Sequence, residues 1–226
     1  MPELGPKNTA LFSEVKQRID PNNKFDDQAA IEMAEKHGEE FIGQGGECIV
    51  FSDSQHKHDK VVTFNYKELT PEQATKTFYL QRFFSTLFPK NFPHFSLTAP
   101  TSKDKPGVTM RDRVYPAKNR DLVKTENSFF DVIKTCDNLG VKFIVDDSPD
   151  NFTKDDQGDE YYLDSLKSAN FSEWDAERIK QYMIDNHYPD SQICRTEKII
   201  DKIKTLHDTY KQDNEDREEF LKNCIM

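Results

Sequence analysis

No stretch of this sequence is a hydrophobic run long enough to span a bilayer, and the opening MPELGPKNTALF lacks the apolar core of a secretory signal, so neither a membrane protein nor a secreted one is expected. Cysteine is sparse. Cys48, Cys136, Cys194 and Cys224 stand far apart and form no CxxC pair with a matching histidine cluster, so free thiols in a reducing, cytoplasmic compartment are expected. Cys224 is third from the end, one residue too late for prenylation. Positive charge is also short: 31 Lys and Arg against 41 Asp and Glu leave a net charge of −10. That excludes broad binding to nucleic acid or to anionic membrane, because both need clustered cations. Any phosphate-binding site must therefore be local. The Walker pattern GxxxxGK[ST] is absent, which disfavours the mononucleotide P-loop fold, and there is no internal repeat or low-complexity tract.

What the chain has in quantity is phenylalanine, 17 residues, enough with the aliphatics to build a core despite a charged fraction of 32%. A length of 226 residues accommodates one large domain or two small lobes. The first 24 or so residues read as an arm around a short helix, Thr9 to Ile19. DDQAAIEMAEK, Asp26 to Lys36, carries an apolar stripe of Ala30, Ile31, Met33 and Ala34 with a stop at His37-Gly38, which predicts a helix. Glu40 to Phe51 reads as two short strands about a glycine turn, and Lys60 to Lys67, KVVTFNYK, as a third strand. Between them, Ser52 to Asp59 is expected as an exposed polar turn; its His56 and His58 lack the neighbouring ligands that a zinc site needs. Thr70-Pro71-Glu72-Gln73 is a capping box with proline at the first helical position, opening a helix that carries Phe78, Leu80, Phe83, Phe84 and Leu87 and stops before Pro89. Two β-like pieces come next, NFPHFSLTAP and GVTMRDRVYP. Helices are predicted from Glu126 to Leu139, ended by Gly140, from Ser172 to Asn186 with Ser172 as N-cap, and from Arg195 to Phe220. The expected fold class is α+β.

The chemistry is concentrated between Gly140 and Leu166, GVKFIVDDSPDNFTKDDQGDEYYLDSL. An apolar segment, Val141, Phe143, Ile144 and Val145, suits a short strand that delivers Asp146 to a loop. Asn151 follows five residues later, and Asp164 thirteen after that, at the end of Tyr161-Tyr162-Leu163. Turn residues from Lys154 to Asp159, with Gly158, predict a hairpin whose strands return Asn151 and Asp164 to one end, beside Asp146. Oxygen donors so grouped suit phosphoryl transfer: one carboxylate takes the acceptor's proton while a carboxylate and an amide hold Mg2+. An EF-hand fits less well, because Thr153, Asp155 and Gln157 stand where a calcium loop wants acids before its glycine. A solvated acidic hairpin is the plain alternative.

This segment resembles the catalytic loop and metal-binding strand of the protein-kinase-like superfamily, in which HRDxxxxN is followed after a hairpin by DFG. The resemblance implies Asp146 as the catalytic Asp, Asn151 as the metal-binding Asn and Asp164 as the DFG Asp, with Pro149 on the loop's common proline. Ile144-Val145 stands in place of His-Arg, and Ser165-Leu166 in place of Phe-Gly. Upstream, Gly43, Gly45 and Val50 match the glycine-rich loop GxGxxGxV, with Cys48 replacing its third glycine. The resemblance further implies a two-lobed kinase-like fold with ATP and Mg2+ as cofactors. Residues 1–38 would form an N-terminal arm and helix, 39–116 a small β-rich nucleotide-binding lobe with one main helix, and 117–226 a reduced, mostly helical lobe with the catalytic and metal-binding loops. Gly43, Gly45, Val50 and Lys67 would meet the nucleotide, with Lys60 as the other candidate for the phosphate-binding lysine. The helix that would supply the glutamate partner of that lysine has Glu72 in its first turn and Gln81 at its middle. The expected activity is phosphate transfer to an unidentified acceptor, a small molecule or a protein; the lack of an APE-like segment after Asp164 leans toward a small molecule. The alternative is a pseudokinase that binds nucleotide or a partner without catalysis.

Overall fold

Between residues 41 and 112 the β-branched and aromatic alternation folds as a five-stranded antiparallel sheet in the computed structural model, which describes residues 6–19, 25–103, 106–116, 128–142, 151–164 and 174–206. The strands are β1 (Phe41–Gln44), β2 (Cys48–Ser52), β3 (Lys60–Asn65), β4 (Phe95–Ala99) and β5 (Val108–Asp112), in the order β1-β2-β3-β5-β4. Helix α3 (Pro71–Leu87) leaves the sheet after β3, and the chain returns as β4, so β3 and β5 become neighbours. Two compact units divide the chain: Met1–Phe78 with Pro93–Ala117, and Tyr79–Phe92 with Lys118–Met226. The protein is α+β, and no helix among the described residues is long and apolar enough to cross a membrane.

In the first unit one sheet face is sealed. Ile49, Phe51, Val62, Phe64, Leu97, Val108 and Met110 form a core with Leu11, Phe12 and Val15 of α1 (Pro6–Arg18) and with Ala30, Met33 and Ala34 of α2 (Asp27–His37). The edge of Phe12 meets the ring of Phe64 at a centroid distance of 4.8 Å. Helix α2 begins at its cap: the Asp26 carboxylate accepts the Ala29 amide at 3.0 Å, and Gly38 closes the helix at a φ of 69°, where only glycine is comfortable. The two helices are tied by Glu14, which meets Lys36 Nζ at 2.7 Å and His37 Nε2 at 2.9 Å and also bonds Arg18.

The second unit is built on the later part of α3, where Leu80, Gln81 and residues 83–88 are buried. A helix buried nearly all round lies inside its unit. Around it gather α4 (Ser128–Asn138), the hairpin β6 (Phe152–Lys154) and β7 (Glu160–Tyr162), α5 (Ala176–Asp185) and α6 (residues 190–206), which share one core. Helix α5 starts later than its sequence predicts. Its cap is Asp175, which accepts the Arg178 amide at 3.1 Å, and not Ser172. Trp174 precedes the helix and is buried, its ring 4.4 Å from that of Phe83, so the tryptophan packs ahead of the first turn and not on the helical stripe. Helix α6 starts at residue 190, five before the expected Arg195, with the Ile193 amide bonded to the Pro189 carbonyl at 3.1 Å.

Candidate functional site

The acidic segment folds as a hairpin because its turn is closed by its own side chain. Asp155 accepts the amides of Gln157 at 2.9 Å and Asp159 at 3.0 Å, and Gly158 adopts a φ of 84°. Phe152 then pairs with Tyr162, Thr153 with Tyr161 and Lys154 with Glu160. One step beyond the ladder the Leu163 amide donates to the Asn151 carbonyl at 2.7 Å. Asn151 and Asp164 thus stand at the same open end of the hairpin. Asp146, with Ile144, Val145 and Pro149, lies outside the described residues. Beneath the hairpin, the Phe129 ring of α4 sits 5.1 Å from that of Phe152 and 5.6 Å from that of Tyr162. Asn91 clamps the outer edge: its side chain donates to the Glu160 carbonyl at 3.1 Å, and its own carbonyl accepts the Tyr162 amide at 2.9 Å. Nothing local in the sequence marks Asn91 for this role, since its partner is 69 residues away.

One amide and one carboxylate fit Mg2+, which keeps several waters and takes one or two protein oxygens alongside substrate phosphates. No group of three or more His, Cys, Asp or Glu side chains gathers as a metal site among the described residues. Asn151 and Asp164 are the hairpin residues that could hold a metal ion alongside other ligands.

In the first unit the glycine turn is tight: the Gly45 amide donates to the Cys48 carbonyl at 2.9 Å. A Cβ at Gly43, Gly45 or Gly46 would meet no atom within 4 Å, so space lies open against this backbone, as an approaching phosphate requires. Gln44 anchors the turn from behind, donating to the Phe25 carbonyl at 2.7 Å and to the Asp27 carboxylate, and accepting from the Tyr66 hydroxyl at 2.6 Å. Burial pushes the Tyr66 phenol up to about 12, so it remains a donor at any ordinary pH. Val50 and Cys48 are both half-buried. The two candidate lysines part company. Lys60 pairs with Asp112 across the sheet at 2.5 Å. Lys67 is exposed and lies two residues past the end of β3, in a bend and not on the strand. Glu72 is bonded to Lys76 at 2.6 Å, and Gln81 is buried.

The polar turn after β2 departs from expectation. Ser52 and Asp53 are buried, because Glu39 reaches in from the end of α2: its carboxylate accepts from Ser52 Oγ at 3.2 Å and from Ser54 N and Oγ at 2.7 Å each. His56 bonds Asp53 at 2.6 Å and His58 bonds Ser52 at 2.8 Å, so both rings act in the framework of the turn. Against this geometry, no protein-family model matches the chain, and no curated protein matches its sequence.

Proposed function

We propose that the chain is a kinase-like phosphotransferase of two lobes that binds ATP with Mg2+ and transfers phosphate to a small-molecule or protein acceptor. The observation that carries this reading is the hairpin: its register and closing hydrogen bond leave Asn151 and Asp164 together at one end, the amide and carboxylate that metal-bridged phosphates need. Further support comes from chain order, in which an open glycine turn, a third strand, a helix and two more strands precede that hairpin. On this reading Gly43, Gly45 and Val50 lie against the nucleotide, Asn151 and Asp164 hold Mg2+, and Asp146 orients the acceptor and takes its proton. Bound Mg2+ would neutralise the phosphates in an otherwise acidic protein.

A pseudokinase is the second reading, favoured by α3: Glu72, its one acidic residue, is committed to Lys76, and Gln81 occupies the middle of the helix. Titration calorimetry with ATP, with Mg2+ or with chelator, tests both. Metal-dependent binding is expected, weakened by Asp164→Asn. Asp146→Asn should leave binding within a few-fold and lower turnover by about 10²–10⁴ in the enzyme. Binding without turnover selects the pseudokinase. No binding with or without Mg2+ removes the enzyme and the nucleotide-binding pseudokinase alike.

A further inference from the structure

We infer that the groove between α3 and α6 of the second unit is an oxyanion site for a phosphate monoester group, with Arg82 and Arg195 at its rim and the side chains of Gln81 and Thr196 beneath them. The site is independent of the nucleotide reading. The Tyr188 hydroxyl, two residues ahead of α6, donates to the Leu87 carbonyl at the end of α3, so the helices meet there. Arg195, seven residues on from Tyr188, acts on the charge of Arg82, five residues back from Leu87. At a rise of about 1.5 Å per residue these are comparable distances, roughly 7 and 10 Å, so α3 and α6 run antiparallel and side by side. Gln81 and Thr196 come next to the two arginines at that same level.

Charge is sorted around α6. Ile193, Thr196, Ile200 and Ile203 fill its buried side. Arg195, Lys198 and Lys202 stand at i, i+3 and i+7 on one flank, exposed and in no ion pair among the described residues. Glu197 and Asp201 occupy the other flank, where Glu197 is bonded to Lys180 of α5 at 2.8 Å. From α3 the cationic flank meets Arg82 and no acid, since residues 79–87 contain none. Burial, and then the charge of Arg195, holds the half-buried Arg82 guanidinium below its ordinary value, the cost of bringing two cations into one groove. Beneath this rim Gln81 and Thr196 are each 1% exposed, and Gln81 Nε2 and Thr196 Oγ1 have no hydrogen-bond partner. A donor buried without an acceptor is costly. One ligand answers both needs: a phosphate monoester brings nearly two negative charges for the rim and three acceptor oxygens for guanidinium, amide and hydroxyl donors. A carboxylate brings one charge and two oxygens. Lys198 and Lys202 extend the positive potential along α6 in a chain whose net charge is −10.

The test is titration calorimetry of the full chain at low ionic strength with inorganic phosphate and, separately, with acetate, on wild type, Arg195→Gln, Thr196→Val and Lys134→Gln. Wild type should bind phosphate and bind acetate far more weakly. Arg195→Gln should weaken phosphate binding about tenfold or more, the size of a lost charge-assisted hydrogen bond. Thr196→Val removes a buried hydroxyl at nearly constant shape and should weaken it about two- to tenfold. Lys134, exposed on α4, controls for the change in net charge, and its variant should stay within about twofold of wild type. Arg195 is exposed, so its variant tests binding without a folding defect. A short peptide carrying phosphoserine, beside its unphosphorylated twin, identifies the source of the group: tighter binding than inorganic phosphate assigns the site to a phosphorylated protein segment, weaker binding to a small phosphate. Absence of phosphate binding by wild type, equal affinity for acetate, phosphate binding unchanged in Arg195→Gln or Thr196→Val, or an equal loss in Lys134→Gln overturns the inference and leaves the nucleotide reading untouched.

Discussion

Replacing Phe129 by alanine should separate the support of the hairpin from the hairpin's own turn. Phe129 is 2% exposed, and its ring lies against Phe92 at 5.8 Å as well as against the paired residues Phe152 and Tyr162. Truncating a buried phenylalanine costs about 3–5 kcal/mol, the lost transfer energy plus the cavity left behind. The chain's single tryptophan, Trp174, is buried in the same core, so its fluorescence during urea unfolding reports on this unit. With urea slopes of about 1–3 kcal/mol per molar for small units, the midpoint should fall by roughly 1–5 M with the slope unchanged. The amides of Tyr162 and Leu163, bonded to Asn91 and Asn151, should exchange faster, because the ladder that orders Asn151 and Asp164 has lost its floor. The neighbouring Phe130 is 59% exposed and supplies the control: its alanine variant should stay within about 0.5 kcal/mol of wild type. A loss below about 1 kcal/mol for Phe129→Ala, or an equal loss for both variants, would refute the aromatic floor.

Titration and thiol chemistry supply two more expected outcomes. The hydrogen bond from Lys36, then that from His37, pull the Glu14 carboxyl from 4.5 to about 2; a depressed carboxylate stabilises fully above its ordinary value and loses that contribution as pH falls from about 4.5 toward 2. The gap in urea midpoint between wild type and Glu14→Gln should therefore close over that interval, and a gap constant from pH 6 to pH 2 would contradict the tie between α1 and α2. Among the described thiols, Cys194 is exposed, Cys48 half-buried and Cys136 buried, its thiol pushed up by desolvation, so a maleimide should label them in that order and spare Cys136 in the native state. Saturating ATP with Mg2+ should slow Cys48 and leave Cys194 unaffected; equal rates with and without nucleotide would count against phosphate lying on the glycine turn.

Local rules are legible in the sequence itself. The capping box at Thr70 forms as its residue types require: the Thr70 amide donates to Gln73 Oε1 at 3.0 Å, and the Gln73 amide donates to Thr70 Oγ1 at 3.2 Å. The hairpin is readable from Gly158 and its acidic turn, and the α+β class from the change of hydrophobic period along the chain. What stays hidden depends on distant partners. A run of Ser, Asp and His after β2 looks solvated, yet Glu39, 13 to 15 residues back, satisfies it from within and draws Ser52 and Asp53 inside. Trp174 fits a helical stripe by spacing, but burial against Phe83 holds it ahead of the Asp175 cap.

The two lysines of the predicted third strand show what residue spacing alone leaves out. Side chains alternate faces along a strand, so which lysine can meet a ligand depends on parity, and parity is set where strands turn and slip. Alternation cannot be extrapolated through β1, whose pairing with β2 shifts between Phe41 and Gly43: Phe41 opposes Phe51 of the sealed core, while Gly43 opposes Val50 of the open face. Across β2, β3 and β5 the register is regular, and it turns Lys60 toward Asp112 while placing Thr63 and Asn65 on the opposite face. A one-residue slip between β2 and β3 would bring Lys60 to the open face and Thr63 to the core, where an unpaired hydroxyl would replace packed hydrocarbon. Val62 and Phe64 in the sealed core oppose that slip, so the residues that build the sheet also hold Lys60 on its sealed side.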